Sequence, residues 1–179
     1  MNERTITIRG CEIYYVEERP GGEAAEVELP TVLYIHGNLG SSRWYERVMD
    51  VPGTRTIALD LPNFGRSGRI PTHDVDSYGA YVVSFIEEVV GGAVSLVGHS
   101  LGGAVAMSVA CGHPELVSRL MLVDSAPIEG LVTPPEHYPI IEAYREDEAQ
   151  LRPALKTMVP QLTDEAFFDE LVADSRRMK

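Results

Sequence analysis

The sequence predicts an α/β fold, a mostly parallel sheet with helices on both faces. Three observations carry this. Short apolar runs with strand character recur along the chain. From about Thr31 they alternate with stretches of helical spacing, as parallel strands joined by crossover helices do. The longest uncharged stretch, Val89 to Gly112, is broken by the pairs Gly91-Gly92 and Gly102-Gly103, which mark a strand, a tight turn and a helix rather than one continuous span.

The elements follow in order. Thr5 to Ile8 and Cys11 to Val16 alternate in the strand manner about Gly10, which predicts an opening hairpin. TVLYI (Thr31 to Ile35) and RTIAL (Arg55 to Leu59) are short runs suited to strands buried on both faces. Between them, Ser41-Ser42 is a cap signal for a short helix from Trp44 to Met49. Asp76 to Val90 places Tyr78, Tyr81, Val82, Phe85, Ile86 and Val89 on one helical stripe. Ala93 to Val97 reads as a strand, Leu101 to Cys111 as a helix and Leu120 to Val123 as a sixth strand.

Beyond Ser125 the character changes. Pro127, Pro134, Pro135 and Pro139 predict an irregular connection over residues 126–140. Asp147 to Val159 is helical but interrupted by Pro153. Thr163 to Met178 is a second helix, with Thr163 as its cap, acidic residues in its first turn, and an apolar stripe of Phe167, Phe168, Leu171 and Val172 suited to packing. The expected organisation is a core over 1–126 and the beginning of a helical cap over 127–179.

Composition limits the function. The chain has 179 residues, 44% of them hydrophobic and 23% charged, as expected of a globular protein of one core. A formal charge of −12 argues against a nucleic-acid partner, which requires a dense basic patch. The start, MNERTITIRG, lacks the apolar segment of a signal peptide. Cys11 and Cys111 stand far apart, outside any CxxC spacing, and read as reduced structural residues of a cytoplasmic protein. Neither a membrane span nor a metal site is expected.

The chemistry centres on LVGHSLGG. Gly98-x-Ser100-x-Gly102 lies between a predicted strand and a predicted helix, the context of a nucleophile elbow. A serine on such a turn is held in a strained backbone with its hydroxyl projecting outward, and its neighbours two residues away must be small. The helix that follows aims its positive end at a developing oxyanion, and the backbone N–H of Leu101 is one donor. A second donor must come from a neighbouring loop. HGNLG (His36 to Gly40), just after TVLYI, can supply one, and Asn38 is the candidate. His36 fits a structural role bonding loop carbonyls better than a catalytic one, and His99 is structural or a wall of the site.

Taken together, HGNLGSSRW, ALDLPNFGRSG, LVGHSLGGAVA and LMLVDSAP resemble the α/β-hydrolase superfamily in order and spacing, over about residues 10–128. The resemblance implies an eight-stranded, mostly parallel sheet with a cap after the sixth strand. It implies Ser100 as nucleophile and the Asn38 and Leu101 N–H groups as oxyanion hole. A serine there fits esterases, lipases, C–C bond hydrolases and peptidases, and argues against the branches that use a carboxylate nucleophile. One departure is Asn63, where relatives carry glycine, with small expected consequence.

The larger departure concerns the partners of Ser100. In the family the acid and the histidine usually follow the seventh and eighth strands. Here Asp124, at the end of the sixth strand, is either the acid or a residue that bonds loop or helix-end N–H groups. His137 would have to fold back over Ser100, and His73 and His113 carry no functional signal. The expectation is therefore a serine hydrolase acting through an acyl-enzyme on a small acyl substrate, without cofactor, in a chain that lacks the last third of its sheet. Its remainder is lost or is a separate chain, and this chain alone is expected to be inactive or weakly active. The alternative is a non-catalytic small-ligand-binding member of the same fold.

Overall fold

A computed structural model describes residues 1–19 and 29–178. Six strands form one sheet: β1 (Asn2–Ile8), β2 (Cys11–Glu18), β3 (Thr31–Ile35), β4 (Arg55–Leu59), β5 (Val94–His99) and β6 (Val117–Val123). Their spatial order is β1-β2-β4-β3-β5-β6. The pairs β3·β4, β3·β5 and β5·β6 are parallel, and the opening hairpin β1·β2 joins antiparallel to β4 through β2. The hairpin turns at Arg9-Gly10, both with positive φ.

Alternate residues of the central strands divide the core in two. Leu33, Ile35, Ile57, Leu59 and Leu96 face one side, where α1 (Val75–Phe85) and α2 (Leu101–Gly112) cover them with Tyr78, Val82, Phe85, Val105 and Val109. Burial of each large side chain in this layer contributes roughly 1.5–3 kcal/mol. On the other side, Tyr14, Val16, Tyr34 and Ala58 pack with Met49 and Tyr45 beneath a short 3-10 helix, Ser42–Val48, capped by Ser41. The sequence reading of helices on both faces therefore holds, with a single 3-10 turn system on the second face. α1 continues into a wider turn, Ile86–Val90, and stops at Gly91 in the left-handed conformation.

β6 is different. Leu120, Met121, Leu122 and Val123 are all more than a third exposed although their side chains alternate between faces. Among the described residues β6 pairs with β5 alone, so its far edge is open.

After β6 the segment is irregular to a 3-10 turn at Pro135–His137. Three helices follow: α3 (Tyr138–Glu146), α4 (Glu148–Met158) and α5 (Glu165–Ser175). Three expectations are corrected here. The irregular connection ends earlier than residue 140, because Pro139 occupies the first turn of α3, where its missing N–H costs nothing. α4 runs through Pro153 unbroken; Leu151 and Leu155 bury one turn apart against Phe168 and Val172, which offsets the one lost backbone bond. α5 is capped by Asp164 rather than Thr163, its carboxylate accepting the Phe167 N–H at 3.0 Å. Phe168, Leu171 and Val172 of the predicted stripe are buried, and Phe167 lies under the Arg47 guanidinium, 3.9 Å from the ring centre. No helix among the described residues is long and apolar enough to cross a membrane; the uncharged stretch folds as β5, the turn and α2.

Candidate active site

Ser100 stands between β5 and α2 with φ 51° and ψ −118°, a region that residues with a Cβ rarely occupy. Such a backbone costs on the order of 1–3 kcal/mol and persists only where its surroundings enforce it. Here they do. The Ser100 N–H donates to the Val123 carbonyl at 3.2 Å, and its own carbonyl accepts from Gly103, Ala104 and Ala126. Two glycines make the turn possible. A Cβ on Gly98 would lie 2.4 Å from the Gly102 carbonyl oxygen, and one on Gly102 would lie 2.1 Å from that of Ile35. The small neighbours required by Gly98-x-Ser100-x-Gly102 thus answer to contacts with backbone, which cannot swing away.

The loop after β3 closes against this elbow. Gly37 to Gly40 form a turn, the Gly40 N–H donating to the Gly37 carbonyl at 3.1 Å, with Leu39 left-handed at φ 61°. A Cβ on Gly37 would meet the Ser100 Cβ at 2.8 Å, so the two segments touch. Asn38, Leu101 and Ser100 all line one cleft. Among the described residues, neither the Asn38 N–H nor the Leu101 N–H donates to a protein acceptor. Two unspent donors and the positive end of α2 thus border the cleft that Ser100 lines.

His36 braces the loop from beneath. Its Nε2 accepts the Leu61 N–H at 3.0 Å, and its Nδ1 lies 2.8 Å from the Gly37 carbonyl oxygen. A backbone N–H can only donate, so Nε2 is the acceptor and Nδ1 carries the proton given to Gly37. Complete burial holds the ring below the ordinary histidine pKa, against the opposing pull of Asp60. The structural role expected for His36 is the one its bonds describe. Asp60 plays a similar part: its carboxylate accepts the Ser42 N–H at 2.6 Å and the Arg66 N–H at 2.8 Å, joining the loops after β3 and β4.

The cleft has a volume of about 630 Å³. One wall comes from the core side, with Asn63, Phe64, His73 and Tyr78, and the other from residues 129–145, including Leu131, Tyr138, Ile141 and Arg145. Asn63 has φ 72°, which explains why glycine suits that position and why asparagine, tolerant of the left-handed region, can replace it. Its side chain is not idle. It donates to the Thr72 carbonyl, accepts the Ile70 N–H, and lies 3.3 Å from His73 Nδ1. His73 and Asn63 are site residues that sequence reasoning passed over; the only signal was the asparagine where a glycine was expected. Tyr78, buried in the same wall, has its hydroxyl pKa raised by that burial.

The remaining candidates lie elsewhere. Asp124 is exposed at the end of β6 with φ 44°, outside the cleft wall, and its charge acts on His99. Half-buried His99 stacks on Trp44, ring centres 6.0 Å apart, and burial holds its pKa below the ordinary value despite Asp124. His137 is exposed on its 3-10 turn, and His113 faces Glu115 at 3.4 Å on the surface. Among the described residues, no histidine is hydrogen-bonded to the Ser100 hydroxyl, and no cluster of His, Cys, Asp or Glu could hold a metal ion.

Comparison with known proteins accords with this architecture. The chain is 27% identical over 180 residues to the uncharacterized hydrolase YugF of Bacillus subtilis (strain 168), covering 96% of this chain and 63% of that protein. It is 35% identical over 96 residues to the lipase LipV of Mycobacterium tuberculosis (strain ATCC 25618 / H37Rv), covering 53% of this chain and 37% of that one. The solved structure of Cfl2 from Burkholderia cenocepacia superposes with a TM-score of 0.76 at 24% identity, over 96% of this chain and 64% of its own. The chain thus spans less than two thirds of the length of these proteins. A family model for the alpha/beta hydrolase fold matches residues 30–159, and the chain belongs to that family.

Proposed function

We propose that this chain carries the nucleophile and oxyanion hole of a serine hydrolase that cleaves a carboxylic ester or a related small acyl compound. The observation that carries the reading is Ser100, fixed at φ 51° at the start of α2 beside two unspent N–H donors and at the wall of a cleft. The name of the mycobacterial relative, a lipase, agrees with it.

In this mechanism the Ser100 Oγ forms a bond to the substrate carbonyl carbon while its proton passes to a histidine. The Asn38 and Leu101 N–H groups stabilise the oxygen that becomes negative. The C–O bond to the leaving group then breaks, and the histidine returns the proton to the departing alcohol. Water repeats the sequence on the acyl-enzyme and releases the acid. Asp124, beside the elbow through Val123, is the candidate for orienting that histidine. The histidine itself comes, in this reading, from a segment that pairs with the open edge of β6, in the same or a separate polypeptide. Residues 127–179 serve as the start of the cap over the cleft.

The test is fluorophosphonate labelling and p-nitrophenyl ester turnover in the protein and in Ser100→Ala. Both activities are expected to depend on Ser100, and absence of both from the intact protein, with the segment that pairs with β6 present, would remove the reading. A second reading, a non-catalytic ligand-binding protein, is favoured by the lack of any described histidine bonded to Ser100. It requires ligand binding that survives Ser100→Ala with no turnover in either form.

A further inference from the structure

The C-terminal end of α5 reaches the loop that presents Asn38. The buried Ser175 hydroxyl donates to the Leu39 carbonyl oxygen; the Leu171 carbonyl, at 2.9 Å, is the more distant of its two acceptors. The hydroxyl thus ties the Leu39 carbonyl to the backbone of its own helix at Leu171, one turn back. Next to it, Asp174 accepts from the Ser41 hydroxyl at 3.2 Å and from Arg43 Nε at 2.8 Å. The Leu39 side chain packs on the α4–α5 cluster of Leu151, Leu155, Phe168 and Val172.

These contacts converge on a residue that needs holding. Leu39 has φ 61°, a left-handed conformation that an L-residue with a bulky side chain adopts only under constraint. Relaxation to negative φ would open the Gly37–Gly40 turn and shift the loop that bears Asn38 against the cleft that Ser100 lines. The Leu39 carbonyl has no other hydrogen-bond donor among the described residues.

We propose that Ser175 is a positioning residue of the oxyanion hole: through the Leu39 carbonyl it keeps the Asn38 N–H aimed at the oxygen that becomes charged. Docking of α5 and readiness of the catalytic loop are then one event, since α5 supplies both the residue that bonds Leu39 and part of the cluster its side chain packs on. This inference rests on the reading of Ser100 as nucleophile and Asn38 as oxyanion donor.

A misaimed donor weakens stabilisation of the transition state while leaving the encounter complex intact. The test follows fluorophosphonate labelling of Ser100 by intact mass, at several probe concentrations, alongside amide exchange, in the intact protein with the segment that pairs with β6 present. Removing an oxyanion donor outright costs about 10²–10³-fold, so for Ser175→Ala, which only frees the loop, the maximal labelling rate is expected to fall about tenfold, with the half-saturating concentration changed by less than about twofold. Exchange of the Gly40 amide should accelerate, while that of Asn63, in the loop after β4, stays as it was. Ser175→Thr, which keeps the hydroxyl, should restore most of the rate. If Ser175→Ala does not fold, Ser175→Cys keeps the volume with a weak donor and carries the same expectation.

An unchanged maximal rate in a protein that labels at Ser100 would overturn the inference and leave the proposed function standing. A slower rate accompanied by faster exchange at Gly40 and Asn63 alike would also overturn it, as general loosening. Wild-type protein that labels no better than Ser100→Ala would remove the functional reading, and this inference with it.

Discussion

His36 and Leu61 tie together the ends of two neighbouring strands: the Leu61 N–H donates to His36 Nε2 at 3.0 Å, while the other ring nitrogen gives its proton to the Gly37 carbonyl. The ring therefore works as a neutral crossbar between the loop that bears Asn38 and the loop that bears Asp60 and Asn63. Protonation would put a hydrogen where the Leu61 N–H already points, so the folded state excludes the imidazolium on geometric grounds as well as through burial.

The crossbar makes stability depend on pH. Burial places the His36 pKa in the folded protein below its unfolded value of 6.5, so below that pH the unfolded chain binds a proton that the folded chain refuses. Stability is full above pH 6.5 and declines as pH falls toward the lower folded value, by up to about 1.4 kcal/mol per pH unit for one group. Half-buried His99 shares the sign. The urea midpoint of the wild type should fall between pH 7 and pH 5, and His36→Gln should show a shallower slope. Equal slopes in the two proteins would exclude this origin.

The elbow tolerates no side chain at position 102. A methyl there would sit 2.1 Å from the Ile35 carbonyl oxygen, at the end of β3, and 2.5 Å from that of His36, just beyond it. Gly102→Ala should cost about 3 kcal/mol or more, read as a lowered urea midpoint. A variant within about 0.5 kcal/mol of wild type, the range of surface substitutions, would contradict the close approach.

Strain at Ser100 predicts a difference between two inactive variants. Both Ser100→Ala and Ser100→Gly remove the hydroxyl and should abolish labelling. Only glycine also removes the Cβ that makes φ 51° costly. Ser100→Gly should be more stable than Ser100→Ala by about 1 kcal/mol. Thermal melts in which the alanine variant is the more stable would argue that the backbone is unstrained.

Much of this was legible in the sequence because the signals are local. TVLYI and RTIAL fold as β3 and β4 with their predicted ends, since short apolar runs between breakers leave few alternatives. Gly98, Ser100 and Gly102 could be placed because their spacing answers to one tight turn. The misread features depend on balances or on distance. Pro153 lies inside α4 because tertiary burial of Leu151 and Leu155 outweighs a lost bond, which no local rule weighs. Asp164 displaced Thr163 as cap by one residue, a choice between two competent side chains. The Ser175–Leu39 bond joins residues 136 apart in sequence, and polar pairs at that separation leave no periodic trace. The Asn63 side chain was undervalued because a departure from glycine reads as a loss, although here it fastens residues 70–73.

The open strand supplies the last prediction. Met121 is 60% exposed, and Leu120, Leu122 and Val123 are each at least 40% exposed, so β6 offers water both an unpaired edge and two apolar faces. Such an edge templates pairing with another strand. Opposing it is the formal charge of −12, which makes copies of the chain repel one another. The two effects respond oppositely to salt. At low ionic strength repulsion reaches far; at about 0.15 M the screening length shrinks to about 8 Å, while apolar burial is undiminished. The 179-residue chain should therefore self-associate more as salt is added, measured by light scattering over a dilution series. Met121→Lys combined with Leu122→Lys, which puts a charge on each face of the strand, should restore the monomer. Association that weakens with salt would point instead to pairing between charged surfaces and away from β6.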